Sequence, residues 1–246
     1  MVDVALTYGG IIGVLISGAF VYLEVGRYAT PQVPSSLFDE RKEFYAYTAG
    51  LFVGVPLAFP WLLLLTAAAN GANVAALVDI VLLVAGGEIA QWYLLRSRYF
   101  GSDAAGAFYS LGLRAGISGI LILALVASYF NGSSFTAFGI ATVIVAAFAV
   151  LAIEVAAAIL SLSRSAQRPQ ARGSPVSGGL VGALGFALIA IGWAFGGWLG
   201  LAAIAAALVG AGGVYYRVRR RILEQIPAPA LPRGTEDKTP FGRTDR

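Results

Sequence analysis

The sequence predicts an all-α, polytopic transmembrane helix bundle of seven helices, with its N-terminus outside and its C-terminus cytoplasmic. Three observations lead to this prediction: a strongly apolar composition, seven long apolar segments, and basic residues that are missing from every second gap between those segments. Hydrophobic residues make up 58% of the chain and charged residues 12%, whereas soluble domains carry about 25% charged residues. No water-soluble core could bury so much apolar surface.

The basic residues indicate the orientation. They occupy the first gap (Arg27, Arg41, Lys42), the third (Arg96, Arg98), the fifth (Arg164, Arg168, Arg172) and the stretch after the seventh segment (Arg217, Arg219, Arg220, Arg221). Short loops rich in Lys and Arg are retained in the cytoplasm, so these gaps are predicted to be cytoplasmic and the protein to be multi-pass in the cell membrane. The net charge of +4 follows this topology and forms no separate basic domain, so nucleic acid is not an expected partner.

The first apolar segment runs from about Val4 to Gly26. It is longer than the core of about 7–15 residues in a signal peptide, which indicates a retained transmembrane helix. Three helical hairpins follow, and their turns are predicted at residues 70–73, 131–134 and 196–198. The last hairpin lies within a run without formal charge, residues 176–216, which is long enough for two spans of about 19 residues.

The chain divides into a seven-helix transmembrane domain, residues 1–226, and a cytoplasmic tail, residues 227–246. The tail begins with Pro227, Pro229 and Pro232 and continues with charged and polar residues. Such a composition cannot form a core, and its prolines favour an extended chain.

Two residue types are missing from the sequence, cysteine and histidine. Their absence excludes disulfides, thiolate nucleophiles, imidazole-bound metals and every catalytic triad that contains histidine. The only lysines are Lys42, assigned to a loop, and Lys238 in the tail, so no helix carries a lysine that could form a retinal Schiff base. No metal and no cofactor is expected, and an enzyme is the less favoured class because no nucleophile or metal motif accompanies the carboxylates.

Charged residues within membrane spans are candidate functional residues. Counted at 1.5 Å per residue from the outer turns, Glu88, Arg114 and Glu154 lie about 23, 26 and 30 Å inward, and Glu24 is about as deep. Two interpretations remain open for this layer. The side chains could line a cytoplasmic vestibule, with Arg114 paired to Glu88 or Glu154, or they could extend to the lipid headgroups, which is favoured for Glu24 and Arg114.

Glu88 is the best candidate for a residue on a pathway, because Gly86 and Gly87 allow close helix approach and Gln91 adds a polar group one turn on. Asp79 lies on the outer side, about 9 Å below the first turn. It is either a site where a cation enters or a cap for a neighbouring hairpin or loop amide. The membrane midplane carries no charge, which makes a carrier less favoured.

Glycines form small-xxx-small patterns of the kind that lets helices approach closely in lipid. The predicted packing positions are Gly9, Gly10 and Gly13 in the first helix and Gly178, Gly179 and Gly182 in the sixth, together with Gly50 and Gly54 in the second.

The leading functional hypothesis is a non-enzymatic integral membrane protein that acts as an embedded subunit or scaffold of a membrane complex. It rests on the charge-free midplane, the lack of His and Cys, the glycine-rich faces and the Pro-rich tail. The expected partners are the lipid bilayer and other membrane subunits or further copies of the chain. The alternative is a transport function, in which a small channel or carrier uses Glu88, Glu154 and Asp79 along its path.

Overall fold

The computed structural model describes residues 2–28, 39–97, 99–100, 106–132, 136–163 and 175–225. This part of the chain is helical apart from turns and short connections. Within these ranges lie seven helices long and apolar enough to cross a membrane. They are α1 (Val2–Tyr28), α2 (Glu40–Ala69), α3 (Asn73–Arg96), α4 (Gly106–Gly132), α5 (Ala137–Ser163), α6 (Pro175–Phe195) and α7 (Gly197–Gln225).

The number of helices and the division of the apolar runs into hairpins agree with the prediction. Gly71 has a φ of +70°, and Gly196 and Gly197 have φ values of +59° and +55°. Because only glycine adopts this left-handed conformation without steric cost, these residues close the turns between α2 and α3 and between α6 and α7. Residues 133–135, in the predicted middle turn, lie outside the described residues.

The helix ends differ from the prediction at the basic residues. Arg41 and Lys42, assigned to the first gap, lie in the first turn of α2. Asp39 caps this helix, since its Oδ1 accepts a hydrogen bond from the Arg41 backbone N–H at 2.9 Å. Helix α7 continues beyond residue 216 to Gln225 and includes Arg217. The physical reason is that hydropathy marks where apolar side chains end, whereas Arg, Leu, Glu and Gln continue a helix readily. The predicted tail, residues 227–246, lies outside the described residues.

Helices α4 and α5 form the centre of the bundle. Of the span in α4, 89% is buried, against 22% of the spans in α1, α3 and α7. Helices α1 and α2 pack on α4, α6 and α7 pack on α5, and α3 contacts α2, α4 and α6. We call the end where α1, α3, α5 and α7 finish the basic end, and the opposite end the hairpin end.

Large apolar side chains cover the outside of the peripheral helices. Exposed examples are Leu15, Phe52, Phe59, Leu77, Val81, Leu184 and Leu199. In water such a surface would drive aggregation, but lipid tails solvate it. Together with the seven apolar helices, this surface is typical of a multi-pass integral membrane protein.

The glycines predicted to mediate packing have different surroundings. A Cβ on Gly9 would lie 2.8 Å from the Leu123 carbonyl oxygen, and one on Gly13 would meet the Gly119 carbonyl, so α1 approaches the α4 backbone closely at these positions. Gly10 faces only the Leu123 side chain, at 3.5 Å. In α6, Gly178 lies against Ser161 and the Ala157 carbonyl of α5, whereas Gly179 and Gly182 face the side chain of Val84.

Candidate functional site

The side chain of Arg114 forms the centre of a buried polar cluster. It extends from α4, is 2% exposed, and uses all of its guanidinium nitrogens. Nε donates to Gln91 Oε1 at 3.1 Å, Nη1 to Glu154 Oε2 at 2.8 Å, and Nη2 to Glu88 Oε1 at 2.8 Å. Gln91 in turn donates through Nε2 to the Ala158 carbonyl of α5 at 3.2 Å.

We call Glu88, Gln91, Arg114, Glu154 and Ser161 the Arg114 cluster. It connects α3, α4 and α5 through hydrogen bonds that involve charged groups, and such bonds are shorter and stronger than those between neutral groups. The predicted layer of charge therefore contains a connected network in which Arg114 pairs with both Glu88 and Glu154.

Arg114 does not extend to the headgroups, which corrects the interpretation favoured from the sequence. Its helix is the most enclosed in the bundle, so the side chain has neighbouring helices on all sides and binds within the protein. The position of Arg114 along the helix predicts its depth. The direction in which its side chain points depends on how α4 packs against the neighbouring helices.

Glycines provide the space for the cluster. A Cβ on Gly87 would meet Nη1 of Arg114, and one on Gly178 would meet Ser161 Oγ and lie 3.0 Å from Glu88 Oε1. Gly86, also noted beside Glu88, instead faces the side chain of Leu57 in α2. Gly87 therefore makes room for the Arg114 guanidinium, and Gly178 makes room for Ser161 and Glu88. Glycines in a membrane span can thus accommodate a buried polar group as well as allow helices to approach.

Ser161 belongs to the cluster although the sequence gave no signal for it. Its Oγ lies 3.1 Å from Glu88 Oε2, 3.3 Å from Glu88 Oε1 and 3.0 Å from the carbonyl oxygen of Ala157 in the preceding turn. Serine is common near helix ends, and only the tertiary arrangement of α3, α4 and α5 places this hydroxyl beside a carboxyl group.

The cluster combines two carboxylates with one guanidinium, all largely removed from solvent. Desolvation of each ion costs several kcal/mol, which close pairing and hydrogen bonds offset. Such a cluster can hold helices together, and its excess carboxylate can bind a proton or a cation. The described residues contain no group of three or more His, Cys, Asp or Glu residues that could hold a metal ion.

Glu24 is not part of the Arg114 cluster, although the sequence places both in one layer of charge. Its Oε2 is 3.3 Å from Nε of Arg219 in α7, so it pairs within the protein instead of extending outward. Near the same basic end, Glu43 of α2 is 4% exposed, and its Oε2 has no hydrogen-bond partner among the described residues. The sequence gives no sign that Glu43 is buried, because this residue stands among charged residues at the start of α2.

Asp79 of α3 is largely buried near the hairpin end. Within the described ranges, its carboxylate makes no hydrogen bond or ion pair, so the cap proposed from the sequence is not formed by any described group. Asp79 and Glu88 are both on α3, nine residues or about 14 Å apart along the helix axis.

Comparison of the chain with protein-family models, with curated proteins and with solved structures finds no match.

Proposed function

We propose that this protein is a non-enzymatic integral membrane protein that acts as an embedded subunit or scaffold of a membrane complex. The observation that supports this proposal is the closed Arg114 cluster. Every guanidinium nitrogen has a partner from α3 or α5, so the cluster ties α3, α4 and α5 together at one depth. A scaffold needs such a fixed core, with apolar outer faces left for lipid, for other subunits or for further copies of the chain.

The proposal includes an orientation in the cell membrane, with the basic end in the cytoplasm. The basic residues at that end of the bundle support it, among them Lys42, Arg96 and Arg217.

Site-directed labelling tests the orientation against a clean background, because the chain contains no cysteine. In intact cells, cysteine introduced at Asn70 or Ser133 is expected to react with a membrane-impermeant maleimide, whereas cysteine at Ser36 or Ser165 is expected to react only after the membrane is permeabilised. Asn70 is preferred to Gly71 because the positive φ of Gly71 disfavours any side chain. The reverse labelling pattern would contradict the orientation.

The scaffold function is tested by removing the tail. Deletion of residues 227–246 is expected to leave the seven helices folded, since all of them end before this segment, but to weaken co-purification of partner subunits from native membranes. Prolines favour an extended chain, so a Pro-rich tail is expected to lose less conformational entropy on docking than a tail without them. The measurement is quantitative mass spectrometry of complexes purified in mild detergent. The control is a chain of full length in which the order of residues 227–246 is scrambled.

Two results would count against the scaffold. One is a truncated protein that keeps all of its partners at full yield. The other is a protein that is purified without partners and moves ions across liposome membranes.

The second candidate, a small channel or carrier, is favoured by one observation, the excess of negative charge in the Arg114 cluster. Glu88 and Glu154 share a single guanidinium, and an intramembrane carboxylate that lacks a counter-charge is a common element of ion pathways. In this function Glu88 and Glu154 bind the transported cation, and Asp79 receives it at the hairpin end. Ion flux into liposomes that contain the purified protein separates this function from the scaffold.

A further inference from the structure

The charge balance of the Arg114 cluster is the first observation. Glu88 and Glu154 both pair with Arg114, and neither forms an ion pair with a second basic side chain in the described part of the chain. With both carboxylates ionised, the cluster would carry a net negative charge in surroundings that hold little water. A buried net charge is costly, and the usual response of a carboxyl group is to bind a proton.

The shortage of hydrogen-bond donors around Ser161 is the second observation. This observation is independent of the first. The hydroxyl has one proton but lies within 3.3 Å of three acceptor oxygens, the two of Glu88 and the carbonyl of Ala157. A serine in a helix commonly donates to the carbonyl four residues earlier, which is Ala157 here. When the hydroxyl donates to Ala157, its contact with Glu88 is a hydrogen bond only if the carboxyl group supplies the proton.

Exposure distinguishes the two acids. The side chain of Glu88 is 14% exposed and that of Glu154 is 3% exposed, so Glu88 is the less enclosed of the two. Glu88 Oε1 accepts from Arg114 Nη2, and Oε2 lies closer to Ser161. Oε2 is therefore the oxygen that is free to carry a proton.

We propose that Glu88 is an exchangeable proton-binding site. A proton delivered by hydronium forms the O–H bond at Oε2 and leaves water behind. Oε2–H donates to Ser161 Oγ, Ser161 donates to the Ala157 carbonyl, and Oε1 continues to accept from Arg114. The cluster then holds one carboxylate and one guanidinium and is neutral. This site goes beyond the scaffold function and does not depend on whether the protein is a subunit or a carrier.

The groups that face Glu88 determine what its ionisation does. Arg114 of α4 attracts the ionised form, Glu154 of α5 repels it, and Gly178 of α6 contributes only space. On its own helix, Gln91 acts through Arg114. When Glu88 loses its proton, the Ser161 hydroxyl has to turn from the Ala157 carbonyl towards the carboxylate. Proton binding thus changes a contact between α3 and α5.

Infrared difference spectroscopy of the full-length protein in lipid nanodiscs tests the site. The wild type is expected to have a carboxylic acid C=O band that disappears as the pH is raised and shifts in D2O. Glu88→Gln is expected to abolish that band. Glu43→Gln is the matched control, since it removes another buried carboxyl group and is expected to leave the Glu88 band unchanged.

Ser161→Ala locates the proton. Loss of the acceptor for Oε2–H is expected to shift the C=O band to higher frequency without abolishing it, and this variant also provides the test if Glu88→Gln does not fold. Persistence in Glu88→Gln of the band that Ser161→Ala shifts would overturn the proposal. So would a band that Ser161→Ala leaves unshifted, because the proton would then lie on another carboxyl group, such as Glu154.

Discussion

Replacement of Arg114 by methionine is expected to lower the free energy of unfolding by about 3–5 kcal/mol, the usual cost of removing one partner from a buried ion pair. Methionine keeps much of the length of the side chain but leaves Glu88, Glu154 and Gln91 without their common donor. The measurement is reversible unfolding in mixed detergent micelles, followed by circular dichroism.

Two further variants separate charge from packing. Arg217→Met in α7 replaces an exposed arginine and is expected to change stability by less than about 0.5 kcal/mol. The triple variant Arg114→Met, Glu88→Gln, Glu154→Gln removes all three charges and is expected to recover most of the lost stability, because buried ion pairs can often be replaced by neutral groups at little cost. A single variant as stable as the wild type would show that the cluster does not hold the helices together.

Replacement of Gly116 by valine is expected to cost about 3 kcal/mol or more, at the upper end of the range for overpacking. Here α2 and α4 approach each other backbone to backbone. A Cβ on Gly116 would meet the Tyr47 carbonyl and lie 2.8 Å from the Leu51 amide nitrogen, and one on Gly50 would lie 2.9 Å from the Gly116 Cα. Because the contacted atoms belong to the backbone, the helices must separate to admit a side chain.

Gly210→Val in α7 is the control for this change. A Cβ at Gly210 has no heavy atom within 4 Å, so the same substitution alters helix propensity without altering packing. Thermal unfolding of both variants in the same detergent gives the comparison. If Gly116→Val and Gly210→Val unfold at the same temperature, the close approach of α2 and α4 does not contribute to stability.

The candidate site was predictable only in part. Depth along each helix follows from residue count, and it placed Glu88, Arg114 and Glu154 near one another. The direction of each side chain did not follow. In a soluble protein an apolar stripe marks the inner face of a helix, but here apolar residues surround each helix, so no such stripe identifies it. Ser161 was missed for this reason.

The sequence by itself determined the number of helices, the turns at Gly71 and Gly196, and the exclusion of sites that need cysteine or histidine. It could do so because segment length, glycine conformation and residue type are local properties. The tertiary structure decided that α4 is central, that Arg114 is buried between two acids, and that Gly116 lies against α2. These features depend on which faces of the helices meet. In lipid, packing and hydrogen bonding select those faces, and a uniformly apolar sequence does not encode them in a visible pattern.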